Sequence, residues 1–336
     1  MGMTLPLGTL AFTRDKAARV TQRKYSDGTT INTAYDPMGL LTSADGVTIQ
    51  RDVMGHAVTV NGIALTYTAA GRLATLSYAP GKVVTYGYDN AGRLSSVGDW
   101  VGGQTSFAYD AAGRLTGLTY PNGVATTYSY DGNGRLSGIA AGGLSSVALT
   151  RDADGKIVSA NRNLPTAPAL PSSSQQFSYN AAAQMNGETF DTMGRALTET
   201  RRTYTWNLAS QLTGFRDSSN AATLTYDGLG ELSASNASGA AETFVFNHAP
   251  GLPALSIVRQ DSSDLRYYVY TPGGSRLYSI EAADKTRKFY HLRAWESAVL
   301  CRPVGRSQLG SDQLLPGKLK RHGQLGSQSH GRAGHC

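Results

Sequence analysis

Cysteine is nearly absent from this 336-residue sequence, and the two that occur, Cys301 and Cys336, lie close to its carboxyl end. Residues 1–300 therefore contain no thiol nucleophile. Charged residues make up only 16% of the chain, Pro occurs 12 times, and no apolar run is long enough for a transmembrane helix. These shortages argue against a fibrous or disordered chain and against a membrane span.

The positive charge of the chain is confined to its last part. Residues 287–336 contain nine Lys and Arg but only two acidic residues. The rest of the chain contains 22 basic and 22 acidic residues. The body is therefore neutral, and no nucleic-acid partner is predicted for it. Outside the last part the imidazoles are His56 and His248, and both are more typical of surface or packed residues than of catalytic bases.

Glycine and tyrosine are abundant, with 39 Gly and 18 Tyr, and a motif containing both recurs along the chain. The pattern Tyr-Asp-x-x-Gly-Arg-Leu is clearest at residues 88–94, 109–115 and 130–136. Looser copies begin at Arg14, Tyr35, Arg51, Tyr67, Arg151, Tyr179, Phe190, Trp206, Tyr226, Phe246 and Tyr270. Because the intervals from residue 14 to residue 151 are all 16 or 21 residues, the chain is a tandem repeat.

Each repeat predicts a β-hairpin. Large residues alternate at period two before the Asp, which is typical of a half-buried strand with its aromatic side chains on one face. The pairs are Tyr86/Tyr88, Phe107/Tyr109, Tyr128/Tyr130, Phe177/Tyr179, Tyr204/Trp206, Phe244/Phe246 and Tyr268/Tyr270. The Asp-x-x-Gly that follows is turn chemistry, because Asp accepts backbone N–H bonds and Gly adopts the left-handed conformation.

The second strand of each hairpin departs from simple alternation. Its large apolar residues are three apart, at Leu73/Leu76, Leu115/Leu118 and Leu136/Ile139. A regular strand would place the two members of each pair on opposite faces. A β-bulge would restore one face.

A single hairpin is marginally stable in water, so each one must bury its aromatic face against neighbours. A long sheet of stacked hairpins twists and curls rather than staying flat. The sequence therefore predicts an all-β fold of tandem hairpins that curl into a spiral, barrel-like shell segment. The repeats are too few to close such a shell, so the segment is expected to be incomplete.

In tandem and at this spacing, Tyr-Asp-x-x-Gly-Arg-Leu resembles the signature of the YD-repeat, or Rhs-repeat, family across about residues 10–290. The family includes bacterial Rhs polymorphic toxins, wall-associated proteins, the C component of insecticidal Tc toxins, and teneurins. The resemblance implies an all-β shell around a hollow chamber. In bacterial members that chamber holds a carboxy-terminal toxin, which is released when the shell cleaves itself.

The sequence departs from the family after its last repeat. The self-cleaving core segment that follows the repeats in bacterial members is not found downstream. Asp36-Pro37-Met38-Gly39 matches the Asp-Pro-x-Gly motif of that segment, but it lies near the amino end of the sequence and not after the last repeat. The pattern stops near Phe289, which predicts a β-shell segment at 1–290 and a basic tail at 291–336 that is disordered or aberrant, through truncation or a frame shift. The alternative is a small toxin or metal-binding domain using Cys301, His322, His330, His335 and Cys336, although these ligands are scattered.

The Asp residues of the repeats are interpreted as turn caps rather than catalytic carboxylates, because they recur in nearly every unit. No G-x-S-x-G, H-E-x-x-H or P-loop motif occurs. We therefore predict no enzyme, no cofactor and no metal site in the repeats. The repeat-defining structural residues are predicted to be Tyr88, Asp89, Gly92, Arg93, Tyr109, Asp110, Gly113, Arg114, Tyr130, Asp131, Gly134 and Arg135.

The leading hypothesis for function is a non-catalytic shell segment that encapsulates or presents a carboxy-terminal toxin. Its predicted partners are that toxin polypeptide or the flanking repeats of a longer shell. The alternative is a cell-surface module that binds carbohydrate or adheres through an exposed aromatic sheet face, with core packing as the competing use of those aromatics. Residues 1–16 lack the features of a signal peptide, so secretion or a surface location is implied by the resemblance alone.

Overall fold

The computed structural model describes residues 2–163, 176–199, 201–249, 253–291 and 300–303, with side chains described up to Phe289. All regular secondary structure in this part of the chain is β-strand. None of these residues forms a helix with the length and hydropathy of a membrane span. The all-β prediction is confirmed.

The strands follow one another closely along the chain. The first group is β1 (Gly2–Leu5), β2 (Gly8–Arg14), β3 (Val20–Tyr25), β4 (Thr30–Tyr35), β5 (Leu41–Ala44), β6 (Val47–Arg51), β7 (Ala57–Val60), β8 (Ile63–Tyr67), β9 (Leu73–Ala79), β10 (Lys82–Tyr88), β11 (Leu94–Gly98), β12 (Gln104–Tyr109), β13 (Leu115–Thr119), β14 (Ala125–Tyr130), β15 (Leu136–Ala141), β16 (Ser145–Arg151) and β17 (Ile157–Asn163). The second group is β18 (Thr198–Glu199), β19 (Arg202–Trp206), β20 (Leu212–Arg216), β21 (Ala221–Tyr226), β22 (Leu232–Ala237), β23 (Ala240–Asn247), β24 (Ala254–Gln260), β25 (Ser263–Tyr270), β26 (Arg276–Glu281), β27 (Arg287–His291) and β28 (Leu300–Pro303).

The two groups of strands belong to antiparallel sheets of 17 and 11 strands. Within each sheet, strands adjacent in sequence are hydrogen-bonded to each other, as β12 is to β13 and β13 to β14. The predicted tandem hairpins are therefore present. The two copies at Tyr179 and Phe190 keep their turns but make only single bridges, Tyr179 to Met185 and Phe190 to Ala196.

The chain folds as two compact units, and each combines an early and a late part of the sequence. In the described residues, the first unit comprises 2–47, 176–199 and 201–244, and it contains β1–β5 and β18–β22. The second comprises 48–163, 245–249, 253–291 and 300–303, and it contains β7–β17 and β24–β28.

The core of the second unit lies between strands of its early and late parts. The early strands contribute Ile63, Leu76, Tyr78, Val84, Tyr86, Val97, Leu118 and Tyr120, and the late strands contribute Ile257, Tyr267, Val269, Leu277, Tyr278, Ile280 and Phe289. Tyr78 and Tyr267 lie in ring contact, with 5.7 Å between their centroids. Tyr86, one of the aromatic residues predicted to share a face of the sheet, is buried in this core.

The predicted tail begins with a strand. β28 pairs antiparallel with β27, from Lys288 opposite Pro303 to His291 opposite Leu300. The rest of the predicted tail, at 292–299 and 304–336, lies outside the described residues. The candidate metal ligands His322, His330, His335 and Cys336 lie there too, and Cys301 is in β28 with its side chain not described.

Candidate functional site

The turn of the repeat has the same hydrogen bonds in every clear copy, and residues 109–115 show them well. The Asp110 N–H donates to the Arg114 carbonyl at 2.9 Å, and the Gly113 N–H donates to the Asp110 carbonyl at 3.0 Å. The Asp110 carboxylate also accepts the Arg114 N–H at 2.8 Å. Gly113 has a φ of +82°, which explains why a glycine stands at this position.

The strand that follows the turn contains the expected bulge. Tyr109 lies opposite Leu115 and Phe107 lies opposite Leu118, so that Thr116 is an extra residue on the second strand. The two aromatic residues and the two leucines therefore share one face. Equivalent shifts follow the turns at Tyr67, Tyr88 and Tyr130, and the prediction from the leucine spacing is confirmed.

The arginine of the signature contacts two consecutive repeats. Arg93 Nε lies 2.7 Å from Asp89 Oδ2 in its own turn, and its guanidinium lies over the Tyr109 ring of the next repeat, 4.7 Å from the centroid. Arg114 repeats this arrangement with Tyr130, also at 4.7 Å. The Arg93 N–H and guanidinium lower the pKa of Asp89 below its ordinary value, which favours the ionised carboxylate.

The tyrosine of the signature binds the preceding repeat. The Tyr109 hydroxyl donates to the Leu94 carbonyl at 2.9 Å, and the Tyr130 hydroxyl donates to the Leu115 carbonyl at 2.8 Å. The Tyr88 hydroxyl does the same to the Leu73 carbonyl. Each bond spans 15 residues, so one repeat is held to the next by a side chain as well as by the sheet.

The glycine of the signature also makes room for the preceding repeat. A Cβ on Gly134 would lie 2.9 Å from Nη1 of Arg114, and a Cβ on Gly92 would lie 2.1 Å from Nη2 of Arg72. The positions predicted to define the repeat therefore form one continuous set of contacts, which we call the turn ladder. Tyr, Arg and Gly connect successive repeats, and Asp holds the turn and the arginine in place.

Two repeats with a different first residue preserve the donor. Arg151 stands where the signature has Tyr, and its Nη2 donates to the Leu136 carbonyl at 3.1 Å across the same 15 residues. Trp206 Nε1 donates to the Ala196 carbonyl at 2.8 Å. Sequence reasoning missed this bond, although Arg at the Tyr position of three copies was a visible sign that a long side chain with a donor is needed.

Histidine replaces arginine in one turn. His56 donates its backbone N–H to the Asp52 carboxylate at 2.9 Å, and its Nδ1 lies 3.1 Å from the other carboxylate oxygen. Its ring stacks on Tyr67 of the next repeat at 4.8 Å. His56 thus makes both contacts of the signature arginine. Across the described residues, no three His, Cys, Asp or Glu side chains come together as a metal site.

We predict that the Tyr109→Phe variant loses about 1 kcal/mol in free energy of unfolding, because the Leu94 carbonyl loses its side-chain donor while the ring stays under Arg93. Urea unfolding measures this change. Tyr35→Phe is the matched control. Tyr35 occupies the same position under Arg19, at 5.0 Å, but its hydroxyl makes no hydrogen bond within the described residues. Equal losses in the two variants would contradict the role given to the hydroxyl.

The fold and the turn ladder define an all-β protein of tandem hairpins whose signature residues join each repeat to the next. The RHS repeat family model matches residues 67–105, 101–125 and 109–143. Residues 67–143 therefore contain RHS repeats.

The chain is also similar to several solved structures. The crystal structure of TcdB2-TccC3 without its hypervariable C-terminal region is 13% identical, with a TM-score of 0.42, and the match covers 84% of this chain and 22% of that one. The Tc holotoxin pore of Photorhabdus luminescens is 15% identical, with a TM-score of 0.30, covering 84% and 16%. A porin-like protein from Bacteroides uniformis is 12% identical, with a TM-score of 0.15, covering 71% and 87%.

A search of curated proteins finds no match. The chain spans 22% of the length of the TcdB2-TccC3 chain that it resembles. Because the TM-scores lie below 0.5, these likenesses carry no argument about fold or function.

Proposed function

We propose that this chain is a non-catalytic wall segment of an Rhs-type shell that encapsulates or presents a toxin polypeptide. The observation that carries the proposal is the turn ladder, in which Tyr, Asp, Gly and Arg of one repeat are engaged with their own turn or with the adjacent repeat. Side chains used in this way stiffen a wall. In this proposal, any catalytic activity belongs to the enclosed polypeptide and not to the wall.

The proposal includes a partner polypeptide. The wall segment would act with flanking repeats of a longer shell, and the toxin would be the enclosed chain. A secreted or cell-surface location follows from the same proposal. The core of the second unit supports a wall that keeps its form, because aromatic residues such as Tyr78, Tyr267 and Tyr278 are buried between its strands.

Protease protection tests this proposal directly. We expect the protein isolated from its producing cells to carry a second polypeptide that resists proteinase K while the β-fold is intact and is digested once urea unfolds it. The second polypeptide alone is the control, and mass spectrometry identifies the surviving peptides. If no polypeptide accompanies the chain, or if the companion is digested equally fast in both conditions, enclosure is ruled out.

The alternative function is carbohydrate binding or adhesion. Phe177 and Tyr179 favour it, because both aromatic residues are exposed and lie only two positions apart in the sequence. A glycan-array screen of the intact protein separates this alternative from the shell.

A further inference from the structure

In the first unit, two repeat turns bind the second turn of another hairpin. The Leu208 N–H donates to Asp27 Oδ2 at 2.6 Å, across 181 residues. The Gly228 N–H donates to the Asp45 carbonyl at 2.5 Å. Leu208 and Gly228 each come directly after the Asn or Asp that begins a repeat turn. We call this contact a turn seat: the residue after the first Asn or Asp of a repeat turn donates its N–H to an oxygen in the second turn of another hairpin.

The seat at Leu208 combines a hydrogen bond with apolar burial. The Leu208 side chain is 9% exposed. Its Cδ1 would lie 2.7 Å from a Cβ on Gly8, so it packs closely on the strand beside Asp27. In this seat the donor half is thus an N–H and an apolar side chain on one residue, and the acceptor half is an Asp carboxylate.

Val53 is a donor half that lacks its acceptor. It follows Asp52 in a repeat turn, as Leu208 follows Asn207. Its side chain is 96% exposed, and Met54 beside it is exposed as well. The Val53 N–H makes no hydrogen bond to any residue that the structure describes.

Asp284 is an acceptor half that lacks its donor. Asp27 Oδ1 accepts the Thr29 N–H at 2.9 Å around Gly28, whose φ is +92°. Asp284 Oδ1 accepts the Thr286 N–H at the same 2.9 Å around Lys285, whose φ is +60°. The other oxygen of Asp27 receives Leu208. In the described part of the chain, no N–H of another hairpin donates to the other oxygen of Asp284, and the side chain is exposed.

We propose that a second copy of this chain fills both halves, with the Asp284 carboxylate of one copy accepting the Val53 N–H of the next. A carboxylate acceptor strengthens such a bond, and Val53 and Met54 would become buried as Leu208 is. The two halves are different surfaces, so the contact is heterologous and copies add head to tail. This inference does not rest on the proposed function.

Sedimentation velocity of the full chain tests the proposal. We expect the weight-average sedimentation coefficient to rise with protein concentration. In V53D/M54D and in D284A it should stay at the monomer value over the same range. The matched control is I157D/V158D, which places two carboxylates on an equally apolar exposed pair in β17, at 51% and 60% exposure, and should associate as the wild type does.

A mixture of the two defective variants gives the sharpest readout. V53D/M54D retains Asp284 and D284A retains Val53, so together they should form dimers and nothing larger. A wild type that stays monomeric at millimolar concentration would overturn the proposal. So would loss of association in I157D/V158D but not in V53D/M54D, because the contact would then lie on β17. Thermal unfolding by circular dichroism verifies that each variant is folded.

Discussion

The Asp99→Ala variant is expected to lose about 3–5 kcal/mol in free energy of unfolding, which makes it the most damaging carboxylate replacement that we predict. The Asp99 side chain is fully buried. Its two oxygens accept Arg287 Nε and Nη2 at 2.8 and 2.9 Å, and the Tyr278 hydroxyl donates to it at 3.0 Å. Its removal leaves a mostly buried guanidinium unpaired. Urea unfolding followed by tryptophan fluorescence measures the loss.

The position of Arg287 explains why this ion pair is strong. Residues 99–103 form a repeat-like turn, with the Asp99 N–H donating to the Gly103 carbonyl at 2.8 Å. Gly103 stands where the signature has Arg, and a Cβ there would lie 2.6 Å from Arg287 Nη2. Arg287 therefore supplies, from 188 residues away, the guanidinium that this turn lacks.

A double-mutant cycle separates the ion pair from general damage to the core. The D99A/R287A variant is expected to lose less than the sum of the two single losses, because it leaves no unpaired charge. Additive losses would contradict a direct pair.

The pH dependence of Asp99 has a defined sign. Burial alone would raise its pKa, but the bonds from Arg287, Gly103 and Val101 outweigh burial and hold the pKa below the ordinary 3.8. A carboxyl group with a lowered folded pKa contributes its full stability above the unfolded pKa and loses it as pH falls through the folded value. The difference between wild type and D99A should therefore be constant at neutral pH and shrink below about pH 4.

The local structure of the repeat could be predicted from the sequence because its causes are local. Asp and Gly at fixed spacing define the turn, the alternating aromatics define the first strand, and the distance from Leu115 to Leu118 indicates the bulge. Each of these acts within about ten residues, where φ preferences and side-chain periodicity dominate.

The contacts between distant hairpins could not be predicted in the same way. Asp99 looks like any other turn aspartate, and nothing near Gly103 indicates that Arg287 will complete its turn. Leu208 likewise resembles a solvent-exposed turn residue until Asp27 is brought beside it. Such contacts depend on how strands far apart in sequence are placed, and the repeat period alone does not determine that placement.

The glycines after the turn aspartates provide a second large prediction. We expect Gly228→Ala to lose about 2–3 kcal/mol in free energy of unfolding, because a Cβ there would lie 2.5 Å from the Asp45 nitrogen and 2.8 Å from the Ala44 Cβ. Backbone is the nearest obstacle, so a side-chain rotation cannot relieve the overlap. Gly228 does not have a positive φ, which leaves the collision as the source of the loss.

Gly132→Ala is the matched control, because Gly132 also directly follows a turn aspartate and also lacks a positive φ. A Cβ on Gly132 would meet nothing within 4 Å. Replacing it should leave stability unchanged or raise it by up to about 1 kcal/mol, since alanine restricts the unfolded chain. The two variants make the same chemical change at the same turn position, so their difference in urea unfolding reports the turn seat at Asp45 alone. If Gly228→Ala proves as harmless as Gly132→Ala, the seat does not form in solution, and the head-to-tail contact inferred from such seats loses one of its two precedents.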